Sequence, residues 1–283
     1  MHRPSSDELT QGAAALLAGM LVALSMPPWG WWPLAFAGLA LWEWLLAGQR
    51  PAVRWRRTWL FTVGWLAPSM AWMWFLTAPG YVAAVALFGC YQATAVLAMP
   101  GPPHDGWRWL ALPCALTAAE ALRFCFPFHG APLASLPMSQ VDGPLTELAR
   151  VGGAILLTFT IAFLGTNLRQ VVLALRRPTV GSFLRVGAGT GAVAALVLVG
   201  LVAPDGNGTG RSAQVAIVQG GGSQGTRAIY TNPRLVIDRA LTESRKVPGP
   251  VDLVLWPENI VNVVDFAASR DRKSTRLNSS HSS

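Results

Sequence analysis

Glu258 is the residue in this sequence best placed to do chemistry. It ends the run Val251-Asp252-Leu253-Val254-Leu255-Trp256-Pro257-Glu258-Asn259. Five of the first six residues are apolar, and Pro257 stops the run directly before the acid. That spacing predicts a buried strand with a carboxylate at its carboxyl end, the rim where open α/β sheets carry their reactive groups. A carboxyl set beside Trp256 and other apolar walls resists ionisation, which suits a general base. The same carboxylate would also serve as a structural cap on the following turn, and the pattern leaves both readings open. A base needs a nucleophile, and residues 204–267 contain no cysteine and a single lysine, Lys246.

Elements that could position Glu258 are legible upstream. Pro204 to Gly210 is a turn-rich linker, followed by a short strand run, Gln214 to Gln219. Asn232 and Pro233 read as the N-cap and first position of a helix. Its inner face is Ile237, Ala240, Leu241 and Ser244, and Arg245 and Lys246 suit its C-terminus. Pro248-Gly249-Pro250 separates it from the Val251 run. A β-α-β unit of this kind has parallel strands, which brings Gln219-Gly220 and Trp256-Glu258 to one rim. Two strands cannot cover both faces of a parallel sheet, so the unit is too small to stand alone. Gly220-Gly221-Gly222 lacks the lysine and the spacing of a phosphate loop.

Everything before about residue 203 reads as membrane. Hydrophobic residues make up 52% of the 283 residues and charged residues 13%, about half the charge of an ordinary soluble domain. Seven apolar stretches, approximately 9–25, 32–48, 58–77, 80–99, 109–126, 151–175 and 183–203, are candidate spanning helices. Asp7 and Glu8 argue against a cleaved signal peptide for the first. Many of the thirteen tryptophans sit beside proline, glycine or arginine, as residues at membrane–water interfaces do. Arg50, Arg54, Arg56 and Arg57, then Arg108, then Arg176, Arg177 and Arg185 fall in alternate connections. The opposite connections carry a single arginine, Arg150. With the N-terminus inside, the positive-inside rule is obeyed and the segment after residue 203 lies outside.

The formal charge of +8 does not indicate nucleic-acid binding, because the arginines lie between apolar spans rather than on one basic face. Arg270 to Ser283 alone supplies four cations and one anion. Residues 268–283 lose all periodicity, and Lys273 to Ser283 resembles translated sequencing-adapter read-through. They are excluded from the fold. Cys90, Cys114 and Cys125 have no metal-binding spacing and read as small buried hydrophobes. Glu120 and Arg123, three residues apart, share a helix face and can form an ion pair that pins the helix end. Glu43, between Trp42 and Trp44, is placed to snorkel to the inner interface. Residues 127–150 form a long polar outer loop in which His129 reads as a hydrogen-bonding residue.

These residues together resemble the apolipoprotein N-acyltransferases of the bacterial inner membrane. The resemblance runs through Pro27-Pro28, Trp32-Pro33-Leu34-Ala35, Glu120-Ala121-Leu122-Arg123 and Phe126-Pro127-Phe128. It continues in Ser139-Gln140-Val141-Asp142-Gly143-Pro144, Val215-Ala216-Ile217-Val218-Gln219-Gly220 and Leu255-Trp256-Pro257-Glu258. The Gly-rich Gln219 to Tyr230 segment looks most like actinobacterial members.

The resemblance implies a polytopic helical membrane domain over 1–203 and the opening β-α-β portion of an extracytoplasmic nitrilase-like α-β-β-α domain over 204–267. It also implies acyl transfer from a phospholipid, through a cysteine thioester, to the α-amine of the diacylglyceryl-modified N-terminal cysteine of apolipoproteins. Glu258 matches the glutamate of the family's Glu-Lys-Cys triad, and no cofactor or metal is implied. The lysine, the cysteine and an eighth span are expected beyond this chain, leaving it an inactive fragment. A membrane-tethered nitrilase-type amidase shares the strand-acid motif. A non-catalytic membrane protein or transporter is disfavoured by the few charges at mid-span.

Overall fold

A computed structural model describes residues 6–100, 107–127, 129–176, 180–203, 210–221, 232–257 and 260. The chain divides into two compact units, Met1–Pro204 and Asp205–Ser283.

The first unit is built from helices. In order these are α1 (Ser6–Leu24), α2 (Pro33–Leu46), α3 (Pro51–Ser69), α4 (Met73–Leu76), α5 (Ala78–Ala95), α6 (Arg108–Cys125), α7 (Ala149–Arg176) and α8 (Val180–Val202). Each apolar stretch of the sequence falls on a helix, except that the third is divided between α3 and α4. Among the described residues, three helical segments, Ser6–Leu24, Ala78–Ala98 and Thr146–Arg176, are long and apolar enough to cross a membrane by length and composition. Pro33–Leu46 and Val186–Val202 are apolar but shorter.

The third stretch differs most from expectation. Its helix starts at Pro51, not near residue 58, because proline at the first helical position is pre-set for the turn and the arginines that follow are good helix formers. It ends at Ser69, one residue after Pro68, and α4 resumes at Met73. Arg54, Arg56 and Arg57, expected in a connection, therefore lie in the first two turns of α3.

Those arginines tie helix ends together. Arg54 is buried and donates to the Met99 carbonyl at 3.3 Å. Arg57 donates to the Leu45 carbonyl near the end of α2, and Arg56 pairs with Glu8 on α1 at 3.4 Å. Each caps a carbonyl or neutralises a charge that an apolar bundle would otherwise strand. Glu43 is corrected too. Its side chain is buried within the helical unit, 3.7 Å from Arg169 on α7.

Close backbone contact sets the core. A Cβ on Gly19 of α1 would run into the Phe61 carbonyl and the Trp65 amide of α3. One on Gly64 of α3 would meet the Leu16 carbonyl of α1. Small residues thus let α1 and α3 lie backbone to backbone, where dispersion is strongest. Trp42 stacks on Phe61, with centroids 4.7 Å apart, and its indole donates to Thr58 at 3.2 Å. Trp42 and Trp65 are fully buried, so they are core residues rather than interfacial anchors. Trp29, Trp31, Trp44, Trp72, Trp74 and Trp107 are exposed. The cysteines also depart from expectation: Cys114 and Cys125 are exposed on α6, and Cys90 is half-buried.

In the second unit, β1 (Val215–Ile217), α9 (Pro233–Ser244) and β2 (Leu253–Leu255) follow one another. The strands pair in parallel, with Val215 opposite Leu253 and Ile217 opposite Leu255. The Asn232 side chain accepts from the Arg234 amide at 3.0 Å, and Pro233 opens the helix. Val236, Ile237 and Ala240 form its buried face. Leu241 and Ser244 are only half-buried. The strand ending before Glu258 is not buried: Leu253 and Leu255 are exposed, as are Val215 and Ile217 opposite them on β1. Among the described residues, one helix covers one face of a two-stranded sheet and none covers the other.

Candidate functional site

Glu258, the residue on which the chemical reading rests, lies outside the described residues. What is described is the chain on either side of it. The Trp256 indole donates to the Ser244 hydroxyl at 2.9 Å, and that hydroxyl donates to the Ala240 carbonyl at 2.7 Å. Ile260 is buried against Val236 and Ala240, with Trp256 packed on the same cluster. Residues 256 and 260 are thus both anchored to α9. The end of β1, on the same rim, behaves similarly. The Val218 amide donates to the Leu255 carbonyl at 2.9 Å, extending the pairing beyond β1. A Cβ on Gly220 would come within 3.0 Å of the Ala240 amide, so this glycine is needed for close packing on α9. Lys246 pairs with Glu243 at 2.6 Å at the far end of the helix. It is not drawn to the strand end.

A second polar constellation lies inside the helical unit. Glu120 and Arg123 on α6 are both fully buried and ion-paired. The Glu120 carboxylate also accepts from Gln92 on α5 at 3.2 Å and from the Leu136 amide at 3.1 Å. Arg123 donates to the Leu133 carbonyl, and its guanidinium lies 4.7 Å from the centre of the Phe88 ring. The pairing expected from the spacing is present. The pair pins more than a helix end, because it also fastens the connection after α6. Sequence reasoning did not find Gln92 or Ser244. Gln92 lies 28 residues from Glu120, and Ser244 had been read only as part of a helix face. Residues 131–148, read from the sequence as a polar loop, are partly packed into the helical unit. Leu136, Ser139, Gln140, Leu145 and Leu148 are buried, while Met138, Val141 and Asp142 face outward.

An apolar helical unit in which three segments are long enough to cross a bilayer, followed by a parallel β-α-β unit, defines a membrane-bound protein with an α/β extension. Residues 18–166 match the family model described as the apolipoprotein N-acyltransferase N-terminal domain. The chain belongs to the apolipoprotein N-acyltransferase family. It is similar to the apolipoprotein N-acyltransferase of Azotobacter vinelandii, with 32% identity over 91% of this chain and 53% of the relative. For that of Mycolicibacterium smegmatis the figures are 31%, 89% and 47%, and for that of Vibrio cholerae 26%, 95% and 54%. The chain spans about half the length of the curated relatives it matches. Identities of 32% and 31% do not set the actinobacterial relative apart from the other.

Proposed function

We propose that this chain supplies the membrane part and the opening of the catalytic domain of an apolipoprotein N-acyltransferase. The reaction moves an acyl chain from a phospholipid to a cysteine thiol, then to the α-amine of the diacylglyceryl-modified N-terminal cysteine of an apolipoprotein. The observation that carries this reading is the family match over residues 18–166, together with relatives of that name along about nine-tenths of the chain.

In this reading Glu258 is the general base. It takes the thiol proton as the thiolate attacks the phospholipid ester carbonyl, and a lysine cation stabilises the oxyanion. The lysophospholipid departs with a proton. The thioester then yields to the amine, so one difficult transfer becomes two easier ones. Residues 204–267 contribute no thiol, and their one lysine is paired with Glu243. The cysteine and the triad lysine must therefore be brought to the Glu258 rim from elsewhere. Seven spans with the N-terminus in the cytoplasm and the β-α-β unit outside the inner membrane complete the proposal, and the alternation of the arginines supports it.

The test is acylation of a synthetic diacylglyceryl lipopeptide by the intact gene product in phospholipid vesicles. Phospholipid-dependent N-acylation, lost in Glu258→Gln, is the expected result. Hydrolysis of small amides without acyl transfer would replace this reading with that of a membrane-tethered nitrilase-type amidase.

A further inference from the structure

The segment from Ala131 to Thr146 lies against the helical unit as a strap, and its polar fastenings are concentrated at one point. Glu120 receives the Leu136 amide, Arg123 donates to the Leu133 carbonyl, and the Ala131 amide donates to the Arg123 carbonyl at 2.7 Å. Arg123 and Gln92 in turn orient the Glu120 carboxylate, and all three side chains are fully buried. Apolar burial of Leu136 and Leu145 adds to the hold.

Other features oppose it. Ala134 adopts a left-handed backbone (φ 49°), which a residue with a Cβ disfavours. Ser139 Oγ and Gln140 Oε1 on the strap, and Gln92 Oε1 beneath it, are buried without a hydrogen-bond partner among the described residues. Such atoms are destabilising while enclosed and recover hydration when exposed.

We propose that the strap is latched rather than welded, and that ionised Glu120 is the latch. The carboxylate gathers the Leu136 amide, the Arg123 guanidinium and the Gln92 amide at one point. Losing its charge weakens the hold on the strap while the helices beneath remain packed. The close α1–α3 contact at Gly19 and Gly64 does not involve the strap, so the bundle has an independent source of cohesion. The strap is then a sub-global unit able to open ahead of the rest. This inference does not depend on the acyltransferase reading.

Hydrogen exchange followed by mass spectrometry on the 283-residue chain in detergent micelles tests it. In the wild type, peptides covering 131–141 exchange sooner than those from α1 and α3. In Glu120→Gln, exchange over 131–141 accelerates by about tenfold or more, the scale of a lost charge-assisted hydrogen bond, while α1 and α3 are unchanged. Gln92→Leu, which removes one neutral donor together with the unpaired Oε1, changes exchange in the same peptides by less than Glu120→Gln does. Two results would overturn the proposal. One is a Glu120→Gln strap that exchanges as in the wild type. The other is acceleration shared equally by α1 and α3, which would make Glu120 a support of the whole bundle.

Discussion

Trp256 and Ser244 are joined by a 2.9 Å hydrogen bond from indole to hydroxyl, which ties the end of the second strand to the last turn of α9. The bond crosses between elements that also share a small apolar cluster. Ser244→Ala leaves the half-buried indole without this acceptor. The expected result is a loss of about 1 kcal/mol in the local stability of the β-α-β unit, measured as faster hydrogen exchange over 253–257. Unchanged exchange there would show that apolar packing alone holds Trp256.

Asn232 is the N-cap of α9. Asn232→Ala should cost about 1 kcal/mol, and Asn232→Gly only a few tenths, because glycine is itself tolerated at this position. The ordering of the two variants in exchange over 233–244 is the measurement, and a reversed order would exclude the capping account.

Gly64 faces the Leu16 carbonyl, whereas Gly191 on α8 has open space where a Cβ would go. Gly64→Ala must push α1 off α3 and is expected to destabilise the helical unit by about 1–3 kcal/mol. Gly191→Ala should be neutral or slightly stabilising, because alanine has the better helix propensity. Thermal melting of the two variants in the same detergent distinguishes them. Equal melting temperatures would contradict the close approach.

Cys90, Cys114 and Cys125 all lie on helices of the first unit, and none is in residues 204–267. The 283-residue chain incubated with phospholipid vesicles should therefore form no acyl thioester. Mass spectrometry of tryptic peptides checks this. An acyl adduct on any of the three cysteines would overturn both this expectation and the role assigned to Glu258.

Local chemistry was legible in the sequence, and long-range chemistry was not. Asn232-Pro233 announced its helix because a cap and its recipient amide are two residues apart. Glu120 and Arg123 announced their pairing because three residues is nearly one helical turn. Neither signal revealed Gln92 or the Leu136 amide, whose meeting with Glu120 depends on how α5, α6 and the strap pack. The arginines of α3 misled for a similar reason. Their charge suggested solvent, but Arg54 and Arg57 end on backbone carbonyls of distant residues, Met99 and Leu45. Hydropathy located the apolar stretches and could not show that Trp42 and Trp65 pack inward while Cys114 and Cys125 face out. For the candidate site, the motif around Glu258 was legible and the anchoring by Ser244 and Ile260 was not, because it depends on where α9 packs against the strand end.

The bare sheet of the β-α-β unit has a practical consequence. Val215, Ile217, Leu253 and Leu255 present an exposed apolar face, and among the described residues each strand of the pair has a hydrogen-bonding edge with no neighbour in the sheet. Such an edge is a template for adding a strand from another molecule, with the apolar face ready to be sealed by the newcomer. In concentrated solution, intermolecular strand addition becomes a hazard to the β-α-β unit, and sparse sample with charged or proline substitutions along the strand edges is the natural safeguard.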